Sequence, residues 1–232
     1  MKIMSFNTQF CTNFVTQKID FEIMADAIRK CDADIVGLNE MYDKSHMEEF
    51  DSQTRKLADL TGMKYYKFAE ACTLEEGTFG NGFLSRVPIT DCSVIHIPEK
   101  DVDKSVMFYE MRCILKAKLA NGFNVLVTHF GLSEKEHINA VEAIMENLEE
   151  EKCVLMGDFN VTPDNKVLSP IKEKMKDTAD LFEENLMSFP SDKPCKKIDY
   201  IFVSKDIEVI SADIPEIISA DHRPHTAEIK IQ

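Results

Sequence analysis

The chain has 232 residues, 44% of them hydrophobic, and a formal net charge of −14 at pH 7. Its length fits one large domain or two small ones, and its apolar fraction can fill a sizeable core. The strong negative charge argues against non-specific binding to nucleic acid or to anionic membranes, because it repels polyanions. A small phosphorylated substrate is not excluded, because a bound cation reverses the local charge inside a cleft.

The sequence shows no pattern typical of a membrane span, a signal peptide or a disulfide framework. No run approaches the ~18 apolar residues of a membrane span, and residues 1–7 lack the apolar region of a signal peptide. The seven cysteines are scattered singly, without a Cys-x-x-Cys pair. This pattern argues against a disulfide framework and a zinc ribbon. We therefore expect a cytoplasmic protein without stable membrane association, and since no linker or repeat interrupts the chain, a single domain over residues 1–232.

Short apolar runs predict a series of strands, at residues 3–7, 34–39, 82–85, 93–97, 153–157, 198–203 and 226–231. Residues 107–119 alternate between apolar and polar side chains, which predicts a half-buried strand. Glu110 and Arg112 share its polar face, where we expect an ion pair. The dipeptide Asn121-Gly122 is a strong hairpin signal, and residues 123–130 are predicted to be the returning strand.

Two segments show helical spacing. Ile19, Ile23, Ala27 and Ile28 form one apolar stripe. A second stripe runs from Ile138 to Leu148, with Ser133 placed as its N-cap. Weaker helix signals occupy residues 46–61 and 167–176. Strands joined partly by hairpins and partly by helices predict a mixed α/β (α+β) fold with antiparallel pairing.

Polar side chains cluster where the predicted strands end, a position from which a rigid sheet often presents functional groups. Each of them alone fits a turn or an exposed strand end. Asp199 is the exception, because a carboxylate inside an apolar strand needs a partner. Together they offer the hard oxygen ligands and proton carriers of a magnesium site. The set is Asn7, Glu40, His129, Asp158, Asn160, Asp199, Asp221 and His222.

Seven motifs in order resemble the endonuclease/exonuclease/phosphatase family of metal-dependent hydrolases. Asn39-Glu40 stands where that family more often has Gln-Glu. The resemblance implies a four-layered sandwich of two packed β-sheets flanked by α-helices. The motifs are Ser5-Phe6-Asn7, Asn39-Glu40, Gly80-Asn81-Gly82-Phe83-Leu84-Ser85-Arg86, Thr128-His129-Phe130, Gly157-Asp158-Phe159-Asn160, Lys197-Ile198-Asp199-Tyr200-Ile201 and Asp221-His222-Arg223-Pro224.

The resemblance also implies roles at the metal and at the attacking water. Glu40 would bind Mg²⁺, or Mn²⁺ in its place, with Asn7 beside it and Asp221 contributing. Asp158 would orient or deprotonate the water. Asn160 would hold that water or a phosphate oxygen.

Two histidines would act on the phosphate. His222, oriented by Asp199, would donate to a non-bridging oxygen, and His129 would do so from the opposite side. Whether Asp158 or the Asp199–His222 pair is the base stays open. Arg112 and Asn81 are predicted to bind substrate; for Arg112 the alternative is a structural ion pair, and for Asn81 a turn.

The favoured function is hydrolysis of a phosphoester, as a phosphodiesterase or phosphatase, by a monomer acting on a small soluble phosphorylated substrate. The main alternative is a DNA endonuclease or exonuclease of the same family. A binding protein on this fold without turnover is a further alternative, and the complete set of acids with His222 argues against it. The lysines of residues 193–197 form either a solvated loop or a contact for the anionic end of the substrate.

Overall fold

The computed structural model describes residues 1–105, 109–181 and 186–231. Within these ranges none of the helices is long and apolar enough to cross a membrane. In chain order the elements are β1 (Lys2–Asn7), α1 (Phe21–Cys31), β2 (Ile35–Asp43), α2 (Gln53–Thr61), β3 (Tyr65–Thr73), β4 (Thr78–Ser85), β5 (Ile89–His96), β6 (Cys113–Leu119), β7 (Asn124–His129), α3 (Glu134–Asn147), β8 (Cys153–Asp158), α4 (Ser169–Lys174), β9 (Met175–Asp177), β10 (Asp199–Ser204), β11 (Ile207–Asp213) and β12 (His225–Ile231).

The strands form two mixed sheets of six strands each. The first has the order β11-β12-β1-β2-β4-β3, and the second β5-β6-β7-β8-β10-β9. Each sheet contains one parallel pair, β1 with β2 and β7 with β8, while its other pairs are antiparallel. Helix α1 connects the first parallel pair and α3 the second, as parallel strands require a crossover connection.

Three apolar layers hold the sheets and helices together. Alternate residues of a strand point to opposite faces, so Ile3 packs between the sheets while Met4 packs under α1 and α2. In the second sheet Val154 and Met156 face the first sheet, and Leu155 faces α3 and α4. Helices therefore cover the outer face of each sheet, which confirms the predicted four-layered sandwich.

Sequence signals located the second helix and the hairpin accurately. Ser133 caps α3 in a capping box with Glu136. Gly122 has φ 88° in the turn between β6 and β7. The predicted strand over residues 107–119 is shorter than expected, because β6 begins at Cys113. Residues 109–112 lie outside any strand, and residues 107 and 108 of that prediction lie outside the described residues. An extended segment keeps the same two-residue period whether or not it pairs in a sheet.

Candidate active site

The parallel pairs bring polar strand ends from both sheets together. Asn7 ends β1, while His129 and Asp158 end β7 and β8 in register with each other. Asp199 begins the antiparallel β10 opposite Asp158. The loop before β12 adds His222, whose ring nitrogens face both carboxylates. The sheets therefore present one polar cluster at a single edge of the sandwich.

A β-bulge aims Glu40 into this cluster. The pairing of β2 with β4 shifts register between Leu38 and Met41, and Glu40 adopts φ 55°. A bulge re-aims the side chain that it contains. Asn7 Nδ2 then donates to Glu40 Oε1 at 2.9 Å and to Asp158 Oδ2 at 3.1 Å. One amide thus ties a carboxylate of the first sheet to a carboxylate of the second.

A chain of amides behind these groups joins the two sheets. Asn39 Oδ1 accepts from the backbone nitrogen of Asp158 at 2.9 Å, and Asn39 Nδ2 donates to Asn81 Oδ1 and to the carbonyl of Thr128, both at 2.8 Å. Asn81 Nδ2 in turn donates to the carbonyl of Cys113 at 2.9 Å. The predicted substrate-binding Asn81 is buried within β4, so the turn alternative for it is wrong. Asn39 belongs to one of the sequence motifs, but the sequence alone did not predict its role in joining the two sheets.

Asp158 is the centre of the cluster. Its Oδ2 lies 3.6 Å from Nε2 of His129 and 3.6 Å from Nε2 of His222. Burial raises the pKa of Asp158, while the positive charge of His222 acts in the opposite direction. The backbone nitrogen of Asn160 donates to Asp158 Oδ1 at 2.9 Å and favours the ionised form. A carboxylate held between two imidazoles can orient or deprotonate a water molecule.

The two histidines have opposite environments. His222 Nδ1 lies 2.7 Å from Asp199 Oδ2. Burial lowers the pKa of His222, but the charges of Asp199 and Asp158 outweigh burial, and the net pKa rises to about 10. His129 has the Arg112 guanidinium against Nδ1 instead, at 3.2 Å. Burial and that positive charge lower the pKa of His129 well below the usual value. One imidazole is therefore cationic and the other neutral at pH 7.

The expected Glu110–Arg112 ion pair is present, at 3.0 Å. Arg112 is only 9% exposed, and its guanidinium carbon lies 5.5 Å from the centre of the Phe79 ring. Glu110, the Phe79 ring and His129 therefore surround the guanidinium.

Two groups of side chains could hold a cation. Ligand atoms of Asp158, Asp199 and His222 lie within 4.8 Å of one another. In the second group, burial and the charge of Asp221 raise the pKa of Glu40, a hydrogen bond from Asn7 opposes the rise, and the net pKa is about 7. Asp221 Oδ1 is buried without a hydrogen-bond partner among the described residues, as is Asp199 Oδ1 in the first group. Two carboxylates that repel each other, one with an unused oxygen, fit a divalent cation.

A cavity of about 320 Å³ opens beside His222 and Asn160. The ring of Phe189 packs against His222, with 4.8 Å between ring centres, and Lys196 lines the same cavity. Lys197 lies elsewhere: it is buried, paired with Asp177 and 4.0 Å from the centre of the Tyr200 ring. Only part of the predicted lysine cluster can therefore meet a substrate.

Comparisons with known proteins identify the family. A model of the endonuclease/exonuclease/phosphatase family matches residues 4–222, and the chain belongs to that family. A comparison with curated proteins finds no match. The chain is a phosphoester hydrolase, as members of this family are.

Solved structures share the fold. One is the endonuclease/exonuclease/phosphatase from Bacteroides vulgatus, 21% identical, with a TM-score of 0.79 over 100% of this chain and 98% of that chain. The mannosyl-6-phosphatase Bt3783 of Bacteroides thetaiotaomicron VPI-5482 is 16% identical, with a TM-score of 0.78 over 100% of both chains. ANGEL2, a 2',3'-cyclic phosphatase solved with adenosine-2',3'-vanadate, is 14% identical, with a TM-score of 0.69 over 99% of this chain and 95% of that chain.

Proposed function

We propose that this protein is a Mg²⁺- or Mn²⁺-dependent phosphodiesterase or phosphatase that hydrolyses a small phosphorylated substrate. The observation that carries the proposal is the position of Asp158 between two imidazole rings, each 3.6 Å away. One ring is paired with a carboxylate and the other with a guanidinium. In-line phosphoryl transfer needs an oriented nucleophile and donors to the developing charge.

Asp158 orients the attacking water and accepts its proton as the water oxygen bonds to phosphorus and the bond from phosphorus to the ester oxygen breaks. The leaving oxygen takes up a proton from solvent. His222 carries a proton on Nε2 and donates to a non-bridging oxygen of the phosphate, while Asp199 holds the ring through Nδ1. His129 and Asn160 meet the phosphate from the other side, 3.2 Å apart. The choice of Asp158 as the base follows from the raised pKa of His222, because a protonated imidazole cannot accept a further proton.

The metal fits the carboxylates of Glu40 and Asp221, with Asn7 holding Glu40 in place. When bound, such a cation neutralises phosphate oxygens and lowers the pKa of a coordinated water. The group formed by Asp158, Asp199 and His222 is a weaker site for a hard cation, because the His222 ring already lies between the two carboxylates. A proton on that ring and a metal would compete for the same oxygens.

Three observations support a small substrate. The net charge of −14 disfavours a long polyanion. The cavity beside His222 has a volume of about 320 Å³, and Phe189 and Lys196 are among the side chains on its wall. A solved structure of the same fold is a mannosyl-6-phosphatase. We further propose that residues 1–232 form one catalytic domain that acts as a cytoplasmic monomer.

The test is an activity screen with and without EDTA. The substrates are an aryl phosphodiester, sugar phosphates, nucleotides, phosphoinositides and abasic DNA. We expect hydrolysis of a small ester that EDTA abolishes and Mg²⁺ or Mn²⁺ restores. Asp158→Asn should be inactive, whereas Asp59→Asn, which changes an exposed acid on α2, should match the wild type. Full turnover in chelated enzyme would refute the metal, and preferred cleavage of abasic DNA would favour the nuclease alternative.

A further inference from the structure

Arg112 constrains the hydrogen atoms of His129. Arg112 Nη1 lies 3.2 Å from His129 Nδ1, and both side chains are buried. A guanidinium only donates hydrogen bonds and keeps its charge at every pH of interest. His129 Nδ1 must therefore be the acceptor and carry no hydrogen. A neutral ring then has its hydrogen on Nε2.

The opposite side of the ring faces a second donor. His129 Nε2 lies 3.2 Å from Asn160 Nδ2, and that amide nitrogen also donates to the carbonyl of Phe130 at 3.1 Å. The carbonyl fixes the amide with its nitrogen towards the ring. A hydrogen on Nε2 thus has this N–H at 3.2 Å and Asp158 Oδ2 at 3.6 Å, which is beyond hydrogen-bond distance. In the other tautomer the hydrogen on Nδ1 would face the charged guanidinium of Arg112. That arrangement is less favourable than a hydrogen on Nε2 facing the neutral amide of Asn160.

We propose that Arg112 is a positioning residue that fixes His129 as the Nε2–H tautomer, so that His129 and Asn160 present two converging N–H donors to one anionic oxygen of the phosphoester. An oxygen between them accepts both hydrogen bonds, so that the two N–H groups no longer face each other without an acceptor. This inference rests on the proposed function. It replaces the direct contact with substrate that the sequence suggested for Arg112, since Glu110 and the Phe79 ring enclose the guanidinium.

The tautomer can be observed without any substrate. Nitrogen NMR of the ¹⁵N-labelled full chain at neutral pH reports which ring nitrogen carries hydrogen, and a His129→Ala variant assigns the signals. We expect a bare Nδ1 and a protonated Nε2 in the wild type. In Arg112→Met the His129 signals should shift towards the other tautomer or the charged ring. A hydrogen on Nδ1 in the wild type, or unchanged signals in Arg112→Met, would overturn the proposal.

A double-mutant cycle separates positioning from direct binding of substrate. We expect His129→Ala to lower kcat/KM about 100-fold and Arg112→Met to lower it about tenfold. The double variant should be no slower than His129→Ala alone, because Arg112 acts through the missing ring. A further tenfold loss in the double variant would show that Arg112 binds the phosphate itself and would refute the inference.

Glu110→Gln is the matched control, because it removes the ion pair and leaves the contact between Arg112 and His129. Its kcat/KM should stay within about threefold of the wild type. A loss as large as that of Arg112→Met would place the effect in the ion pair and contradict the proposal. If Arg112→Met does not fold, Arg112→Gln replaces it in both experiments, because a neutral amide can present either a donor or an acceptor and does not force His129 Nδ1 to accept. A wild type that hydrolyses no phosphoester would refute the proposed function, and the NMR result would still decide the tautomer.

Discussion

At the scale of single residues, Asp158 and Asp199 are buried carboxylates that each have an imidazole as a neighbour. Asp199 is fully buried; its Oδ2 is bonded to His222 at 2.7 Å, while its Oδ1 has no hydrogen-bond partner among the described residues. Asp158 is nearly as buried, and its oxygens are shared among Asn7, Asn160 and two imidazoles. Burying a charge without such partners is costly. The same contacts that stabilise the ionised carboxylates also fix their orientation towards a phosphate.

Replacing His222 should affect both chemistry and stability. In His222→Asn the phosphate loses its charged donor, and we expect kcat to fall by roughly two orders of magnitude. The free energy of unfolding should fall by about 1–3 kcal/mol, because Asp199 loses a buried partner. Steady-state kinetics and urea unfolding measure the two effects. His96→Asn, which changes an exposed histidine on β5, should leave both at wild-type values, and near-normal kcat in His222→Asn would refute the role of His222.

His225 should make folding stability depend on pH. It is fully buried, and burial together with the charge of Lys197 lowers its pKa to about 3. The unfolded chain binds a proton near pH 6.5, whereas the folded protein does not until about pH 3. The contribution of His225 is therefore complete above pH 6.5 and is lost as the pH falls through this window.

The loss is at most about 1.4 kcal/mol per pH unit. Urea unfolding between pH 6 and pH 4 should show that the free energy of unfolding falls less steeply with decreasing pH in His225→Gln than in the wild type. The difference in slope should correspond to at most one bound proton. The exposed His46 gives the control His46→Gln, which should keep the wild-type slope. Equal slopes in the wild type and His225→Gln would show that His225 titrates normally when folded.

At the scale of secondary-structure elements, close contact between β7 and β8 places Asp158. Gly157 has φ 148°, and a Cβ built there would lie 1.8 Å from the carbonyl oxygen of Thr128. A side chain at this position would force the two parallel strands apart. The strand ends that carry His129 and Asp158 would then separate as well.

Gly157→Ala should therefore lower the free energy of unfolding by about 3 kcal/mol or more, since it combines a steric clash with backbone strain. Gly62→Ala is the matched control. Gly62 has φ 70° with no atom within 4 Å of the added Cβ, so only the left-handed conformation is penalised, at about 1 kcal/mol. Urea unfolding compares the two variants. Equal losses would mean that β7 and β8 can separate without a large cost.

The sequence predicted those elements whose stability comes from local chemistry. The capping box of α3 and the Asn121-Gly122 turn are set by neighbouring residues. The edge strands β3 and β11 were missed, because both carry many exposed polar positions and lack a continuous apolar run. A strand at the edge of a sheet can carry such a composition, but only the assembled sheet shows which strands lie at its edges.

The same distinction applies to the site. Strand-end acids and amides could be recognised because strands are readable and the carboxyl ends of parallel strands meet at one edge. The bulge that turns Glu40 inward and the inter-sheet bonds of Asn39 depend on which strands pair. No local pattern encodes that pairing. Contacts of this kind, including that of Arg112 with His129, emerge only from the packing of the two sheets.

At the scale of the whole molecule, charge separates small substrates from nucleic acid. The chain has 27 basic residues against 41 acidic ones. Of the lysines in residues 193–197, Lys197 is buried against Asp177, whereas Lys193 and Lys196 are exposed. A protein that follows a DNA backbone neutralises several phosphates with basic side chains. This segment offers about two, of which Lys196 lines the cavity beside His222.

We therefore predict weak binding to duplex DNA. Each neutralised phosphate adds about 0.9 to the slope of log K against log salt, so two contacts give a slope near −2. Titration of Asp158→Asn with a short duplex at several salt concentrations measures it without cleavage. Lys196→Gln should reduce the slope by about one, whereas Lys197→Gln should leave it unchanged, because Lys197 is already paired. Sub-micromolar affinity at physiological salt with a steep slope would mean that a basic path along DNA exists after all, and would make a DNA nuclease the better assignment.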